Sequence, residues 1–216
     1  IFIIEVSYLY DLINGLYFDT IYHEHLCYIS INPLNFFLKK FNLEIFDVER
    51  ISYGASGPSI RVFVKKLKNF LPISNRYKNL VILERNWGYK KIKNYNIFAN
   101  KVDRLKNSTL EKINKLKDNG SVIGGFGAPA KGNTLLNYYN LKSGTISFIS
   151  DNNLFKQGKL TPGSHIPIIS DEEFNSLKPE YALLLTWNYL NFFLEKSKYI
   201  KDGGKFIVPL PKLKIY

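Results

Sequence analysis

Ser121-Val122-Ile123-Gly124-Gly125-Phe126-Gly127-Ala128-Pro129-Ala130-Lys131-Gly132-Asn133-Thr134 is the stretch whose reading decides the fold class of this chain. Its start, Ser121 to Gly125, reads as a buried strand, and Lys131 to Tyr139 reads as a helix. A glycine-rich turn between a strand and a helix lets backbone N–H groups approach an anion, and the helix N-terminus adds partial positive charge. Gly125, Gly127 and Ala130 keep the spacing of a dinucleotide-binding turn with alanine last, and Asp151 follows Gly127 by 24 positions, near where a ribose-binding acid sits. Pro129 and Lys131 are unusual for a nicotinamide site, and no Gly-Lys-Ser/Thr of a phosphate loop occurs. Two readings stay open: a phosphate-binding turn with Lys131 at the helix start, and a purely structural glycine turn.

Downstream the same alternation continues. Strands are expected at Thr145 to Ser150, Tyr181 to Leu185 and Lys205 to Val208, and helices at Asp171 to Leu177 and Tyr189 to Lys201. Alternating strand and helix implies an α/β fold with a parallel sheet and right-handed crossovers. Ligand groups then belong at the carboxyl ends of the strands, which nominates Asp151 to Gly158, Thr161 to His165 and Thr186 to Asn188. A loop histidine satisfied by backbone is the alternative for His165.

Upstream, residues 69–118 read as helical. Tyr95, Phe98, Val102, Leu105, Thr109, Ile113 and Leu116 recur at spacings of three and four, and Asn119-Gly120 closes the helix. The chain carries 30 basic and 18 acidic residues, a net charge of +12, and residues 65–118 hold 15 of the basic and four of the acidic ones. These lysines are scattered and no recognition motif accompanies them, so no nucleic-acid partner is expected. Residues 1–68 look like the end of another α/β domain. Ile1 to Val6 reads as a buried parallel strand, Leu9 to Leu16 as a helix, and Asn32-Pro33 as an N-cap with proline at the first helical position of a helix through Phe41. Leu43 to Glu49 and Ser59 to Val64 read as two strands, with Gly54, Gly57 and Pro58 marking the turn between them. A chain that opens inside a core strand, with no methionine anywhere, is expected to be part of something longer.

No uncharged apolar stretch reaches the roughly 18 residues of a membrane-spanning helix, so no membrane partner is expected. The lone Cys27 cannot form an internal disulfide, which fits a reducing compartment and a cytoplasmic location. One further cluster carries chemistry. Tyr22-His23-Glu24-His25 holds two of the three histidines, an acid and a phenol in four residues, reached through Phe18-Asp19-Thr20-Ile21. If extended, it puts Tyr22 and Glu24 on one face and the histidines on the other; if a loop, all four can lean toward one cleft. Either way it is the natural place for a general base. No metal is assigned to it, since His165 is the only other histidine and Cys27 is alone.

Taken in order, Phe18 to His25, then Gly54 to Val62, then Gly125 to Asn137, then Lys156 to Ile168, then Leu183 to Asn188 and Gly203 to Pro211 resemble the sugar-nucleotide C-methyltransferases. The resemblance spans essentially the whole chain. It implies S-adenosylmethionine as methyl donor and a nucleotide-linked keto-deoxysugar of the dTDP type as substrate, in deoxysugar biosynthesis. It also implies three parts: a cysteine-ligated zinc domain, a central methyltransferase domain and a Rossmann-like C-terminal domain that helps bind the sugar nucleotide. On that layout residues 1–68 are the C-terminal remnant of the methyltransferase domain, 69–118 a helical connector, and 119–216 the Rossmann-like sugar-nucleotide-binding domain. The zinc cysteines and the glycine-rich donor loop are not found in this chain, so zinc and most of the donor contacts are expected outside it, and catalysis by this chain alone is not expected.

The resemblance implies that the base lies in the Tyr-x-Glu-His run, here Tyr22, Glu24 and His25. His25 is the leading base, Tyr22 a donor to the developing enolate oxygen, and Glu24 an orienting or charge-stabilising group. Substrate binding falls to Gly127, Ala128, Lys131, Gly132, Asn133, Asp151, His165 and Asn188. Two other functions stay open: a non-catalytic nucleotide-sugar binding module, and the NAD-binding domain of a dehydrogenase suggested by the glycine turn alone.

Overall fold

The computed structural model describes residues 1–51 and 58–216, so the expected turn glycines Gly54 and Gly57 lie outside the described residues. The chain divides into two compact units. Unit 1 comprises Ile1–Tyr17 and His23–Ala99; unit 2 comprises Phe18–Tyr22 and Asn100–Tyr216.

Unit 1 is built on a three-stranded antiparallel sheet. Strands β1 (Phe2–Ser7), β2 (Leu43–Ile51) and β3 (Ser59–Lys66) lie in the order β1-β3-β2. Ile60, Val62 and Val64 alternate along β3 and are fully buried, as expected for a half-buried strand. Helices α1 (Leu9–Gly15), α2 (Ile31–Lys39) and α3 (Asn75–Trp87) complete the unit, and Ile31, Leu38 and Leu80 join the β-sheet residues in its core.

The reading of Ile1 to Val6 as a buried parallel strand is corrected here. β1 pairs antiparallel with β3, from Phe2 opposite Val64 to Ser7 opposite Ser59, and Phe2 and Ile3 are each 54% exposed. A run of apolar residues fixes strand propensity, not the direction of its partner. The start of α2 is also corrected. Ser30, not Asn32, is the N-cap residue, and its side chain makes no cap bond. Glu84 of α3 takes that role. Its carboxylate accepts from Ile31 N at 2.6 Å, Asn32 N at 2.9 Å, Asn32 Nδ2 at 2.7 Å and Tyr8 OH at 3.0 Å. Orphan amides at a helix N-terminus need an acceptor, and a carboxylate there also meets the positive end of the helix dipole.

Residues 69–118 hold two helices rather than one. α3 ends at Gly88 in the left-handed region, and α4 (Ile92–Asp118) follows. Val102, Leu105, Thr109, Ile113 and Leu116 form the buried stripe of α4. The expected stop is present: the Gly120 and Ser121 amides bond to the carbonyls of Lys117 and Leu116. The boundary between the units falls inside α4, after Ala99.

Unit 2 is a mostly parallel α/β layer. Its strands are β4 (Ile123–Phe126), β5 (Ile149–Ser150), β6 (Ile168–Ile169), β7 (Tyr181–Leu184), β8 (Lys205–Val208) and β9 (Lys214–Ile215), in the order β6-β5-β4-β7-β8-β9. All neighbours are parallel except β8 and β9. The helices are α5 (Ala130–Tyr138), α6 (Asp171–Leu177), α7 (Leu190–Lys196) and α8 (Lys198–Lys201). Ser170 caps α6 through Glu173 N. The expected strand Thr145 to Ser150 shrinks to its last two residues, because the Thr145 and Ile146 amides turn back onto the Lys142 carbonyl. The expected helix Tyr189 to Lys201 is broken at Ser197, whose backbone is extended.

The strand order reverses between β4 and β7. β5 and β6 build outward on one side of β4, and β8 on the far side of β7. In open α/β sheets this switch point opens a crevice at the carboxyl ends of the two strands, where ligands bind. Here the elements at that point are the β4–α5 turn and the segment after β7.

Candidate functional site

The β4–α5 turn is held from within. Gly127 sits at φ +77°, and a Cβ on it would meet the Thr186 side chain at 2.6 Å, so only glycine fits. The amides of Gly125 and Gly127 bond to the carbonyls of Phe148 and Ser150, and Ala128 N donates to Asp151 Oδ2 at 2.8 Å. Asp151 also accepts from Lys156 Nζ at 3.0 Å and from Asn153 N at 2.9 Å. The sequence nominated Asp151 as a ribose acid; the structure gives its carboxylate to the turn and to Lys156. Gly132 lets α5 close on β7, since a Cβ there would meet Leu185 at 2.9 Å. The first amides of α5, at Ala130, Lys131 and Gly132, precede the intrahelical bond from Asn133 N to Pro129 O, and the N-cap residue Pro129 offers them no side-chain acceptor. Asn133 stands in the same turn, with its side-chain oxygen accepting from Asn137.

Lys131 is 5% exposed. Its ammonium donates to Asn188 Oδ1 and stands 4.1 Å from the centroid of the Trp187 ring, over its face. Burial lowers its pKa to about 8, with Asp19 opposing the shift, so it is mostly protonated at neutral pH. Asp19 is fully buried, and Trp187 Nε1 donates to its Oδ2 at 2.6 Å. Burial raises the Asp19 pKa to about 6, against the Trp187 hydrogen bond and the Lys131 charge. Asp19, Lys131 and Trp187 thus form one buried cluster at the switch point of unit 2, with the half-buried Asn188 at its edge. The sequence reading assigned Lys131 and Asn188 to substrate binding and nominated the segment Thr186 to Asn188 that holds Trp187, but gave Trp187 and Asp19 no role of their own. The available signal for Asp19 was an acid inside the apolar run that leads to Tyr22.

Tyr22 lies in a bend and His23 and Glu24 in a turn, so the run is not an extended strand. Tyr22 and His25 are half-buried, and His23 and Glu24 are exposed. Tyr22 belongs to unit 2, and His23 onward to unit 1. The His25 ring meets Tyr28 edge-on at 6.4 Å. His165 is exposed, at φ +53°, on a loop closed by a 2.6 Å contact between Thr161 Oγ1 and Ser164 Oγ. That loop is tied to Asn137, whose Nδ2 donates to Pro162 O. Asn137 lies six residues, about 9 Å, along α5 from Lys131, and its Nδ2 also meets Asn133, so the His165 loop is tied to the C-terminal half of α5.

Comparison with known families decides what carries this site. The model of the C-methyltransferase C-terminal domain matches residues 54–211. The chain belongs to the C-methyltransferase family. The C-methyltransferase NovU from Streptomyces niveus is 34% identical over 216 residues, all of this chain and 51% of NovU. The chain therefore spans about half the length of that relative. The family match contains the Lys131 cluster except Asp19, and the alignment with NovU also covers Asp19 to His25.

Membership of the C-methyltransferase family implies S-adenosylmethionine. The β4–α5 turn does not fit that donor: its glycine amides and Ala128 N are spent within the protein, and Asp151 is engaged by three protein donors. No residue of this chain is assigned to the donor. Among the described residues no cluster of three or more His, Cys, Asp or Glu side chains is arranged to hold a metal ion, so zinc is not assigned to this chain either. Among the same residues no helix is long and apolar enough to cross a membrane.

Proposed function

We propose that this chain is the substrate-binding and proton-transfer part of an S-adenosylmethionine-dependent C-methyltransferase that acts on a nucleotide-linked keto-deoxysugar of the dTDP type. The observation that carries the reading is the desolvated Lys131 ammonium at the N-terminus of α5, at the switch point of the parallel sheet, in a chain of this family. A sugar nucleotide presents a diphosphate, and helix-end amides with a fixed cation are what such a group needs. Ala130, Lys131 and Gly132 supply the amides, and Asn188 and Trp187 hold the ammonium in position. Gly127, Ala128, Asn133 and Asp151 shape the turn that presents them. His165 has its role at the rim of the substrate, since its loop is tied further along α5. In this reading unit 1 contributes the closing strands of the methyltransferase domain.

The chemistry assigned to this chain is removal of a proton from the carbon beside the keto group. The His25 imidazole takes that proton, and the C–H electron pair moves into the carbonyl to give an enolate. The Tyr22 hydroxyl donates a hydrogen bond to the enolate oxygen, and Glu24 balances the imidazolium that forms. The methyl donor, when bound, supplies the electrophilic carbon for the enolate.

The test is exchange of the substrate α-proton with deuterium in D2O, catalysed by the full-length protein and by its His25→Ala variant. His25→Ala should slow exchange by about 10²- to 10⁴-fold, the usual worth of a general base. Exchange at the wild-type rate would assign the base elsewhere. Binding of the nucleotide sugar with neither exchange nor methyl transfer would return the chain to the non-catalytic binding module.

A further inference from the structure

Residues 18–22 belong to unit 2 although 77 residues separate them from the rest of it. Something must hold this short segment against residues 100–216. Phe18 is buried, stacked on Tyr139 at 5.6 Å and 22° and meeting Tyr138 at 5.1 Å. Asp19 and Thr20 are buried behind it, and Ile21 N bonds to Phe18 O at 3.0 Å to close a single 3-10 turn. Aromatic packing explains Phe18. It does not explain a carboxylate at zero exposure, which costs several kcal/mol to desolvate unless it is paired.

The Asp19 carboxylate is unusually placed. One oxygen accepts the Trp187 indole N–H at 2.6 Å, a short and charge-assisted bond. The other, Oδ1, is enclosed and makes no hydrogen bond of normal geometry, while the backbone amides of Asp19 and Thr20 also favour the charged carboxylate. The same indole carries the Lys131 ammonium on its face at 4.1 Å. The charged and titratable groups that act on Asp19 or feel it are Lys131, at the start of α5, and Tyr139, at its end; the Trp187 N–H comes from the segment after β7. A buried acid that orients an indole on one side and attracts a lysine across it does more than fill space.

We propose that Asp19 is a positioning residue: through Trp187 Nε1 it clamps residues 18–22 onto unit 2 and so fixes Tyr22, the first residue of the proton-transfer run, in the unit that holds Lys131. The clamp holds the start of the run in the same unit as the substrate-holding cation. This rests on the proposed function for the role of Tyr22, Glu24 and His25, while the clamp itself rests on the geometry of unit 2 alone.

Three variants test it. Trp187→Phe removes the donor but keeps a ring face for Lys131. Asp19→Asn keeps an acceptor of the same shape without the charge. Asp19→Leu removes both. Hydrogen exchange of the Ile21 amide, measured on the 216-residue chain, reads the clamp. Protection should fall in Trp187→Phe and Asp19→Leu and largely survive in Asp19→Asn. Unchanged protection in Trp187→Phe overturns the clamp. In the full-length protein, Trp187→Phe should slow α-proton exchange of the nucleotide sugar, measured at saturating substrate, by roughly 10- to 100-fold, as expected for misplaced reacting groups. Lost amide protection with wild-type proton exchange would overturn the positioning role. A wild-type protein without proton exchange would refute the proposed function and with it the catalytic purpose of the clamp, while Ile21 protection would still decide whether the clamp exists.

Discussion

Replacing Glu84 probes the contact that fixes the far end of the loop after His25. Glu84 is fully buried in unit 1 and receives four hydrogen bonds, two of them from the buried Tyr8 OH and Ile31 N and two from the partly buried Asn32. Glu84→Ala strands the two buried donors, each at about 1–3 kcal/mol, while water can reach Asn32. It also removes the negative charge from the N-terminus of α2, worth a further ~0.5–1 kcal/mol. The expected loss is therefore about 2.5–7 kcal/mol. Glu84→Gln keeps the shape but turns an N–H group toward one of the donors, for a loss of about 2 kcal/mol. Urea unfolding of the 216-residue chain, followed by circular dichroism, gives the stability, and hydrogen exchange of the Ile31 amide gives the local effect. Stability of Glu84→Ala within about 0.5 kcal/mol of wild type, with Ile31 still protected, would refute the claim that a side chain from α3 caps α2.

Other consequences are equally direct. Lys131→Ala should weaken nucleotide-sugar binding by roughly five- to thirtyfold, on a loss of about 1–2 kcal/mol, and affect the free nucleoside much less; titration calorimetry with both ligands separates phosphate contact from support of the fold. The Asp19 carboxyl, raised to about 6 in the folded chain, binds its proton more tightly folded than unfolded. Its contribution to stability is complete below the ordinary carboxylate value and is lost as pH rises through about 6, so between about pH 7 and pH 4 wild type should gain roughly 2–3 kcal/mol relative to Asp19→Asn. Parallel pH curves for the two proteins in denaturant titrations would contradict this. Gly127→Ala should cost about 2–4 kcal/mol, because φ is +77° and its Cβ would overlap Thr186, whereas Gly120→Ala, at φ +85° with open space, should cost only about 1 kcal/mol. Equal losses by thermal unfolding would remove the steric half of that account.

The legible parts of the sequence were those whose chemistry is local. The β4–glycine–α5 order shows because strand, turn and helix each carry their own signal within 14 residues, and α6 shows because Ser170 and three acids mark its first turn. The stripe of α4 and the pair β2 and β3 follow from side-chain period alone. What escaped depends on partners distant in sequence. Asp19 and Trp187 are 168 residues apart, and Glu84 caps a helix more than 50 residues before it. β6 and β9 are two residues each, too short for a period to register. The direction of β1 is set by β3, not by its own residues. At the site the same division applies. Lys131 was found from its place at the helix start after the glycine turn and Asn188 from its place at a strand end, but their mutual contact beside Trp187 was not, and Asp151 was read as facing a ligand because the sequence does not tell that Lys156 folds back onto it.

The central claim meets its most direct test in one incubation: the full-length protein, S-adenosylmethionine and a nucleotide-linked keto-deoxysugar in D2O, with the sugar analysed by NMR and mass spectrometry. A new methyl group is expected on the ring carbon beside the keto group, with the original proton on that carbon lost. A methyl group on oxygen or nitrogen, or a sugar recovered unmethylated with its α-proton intact, would contradict it.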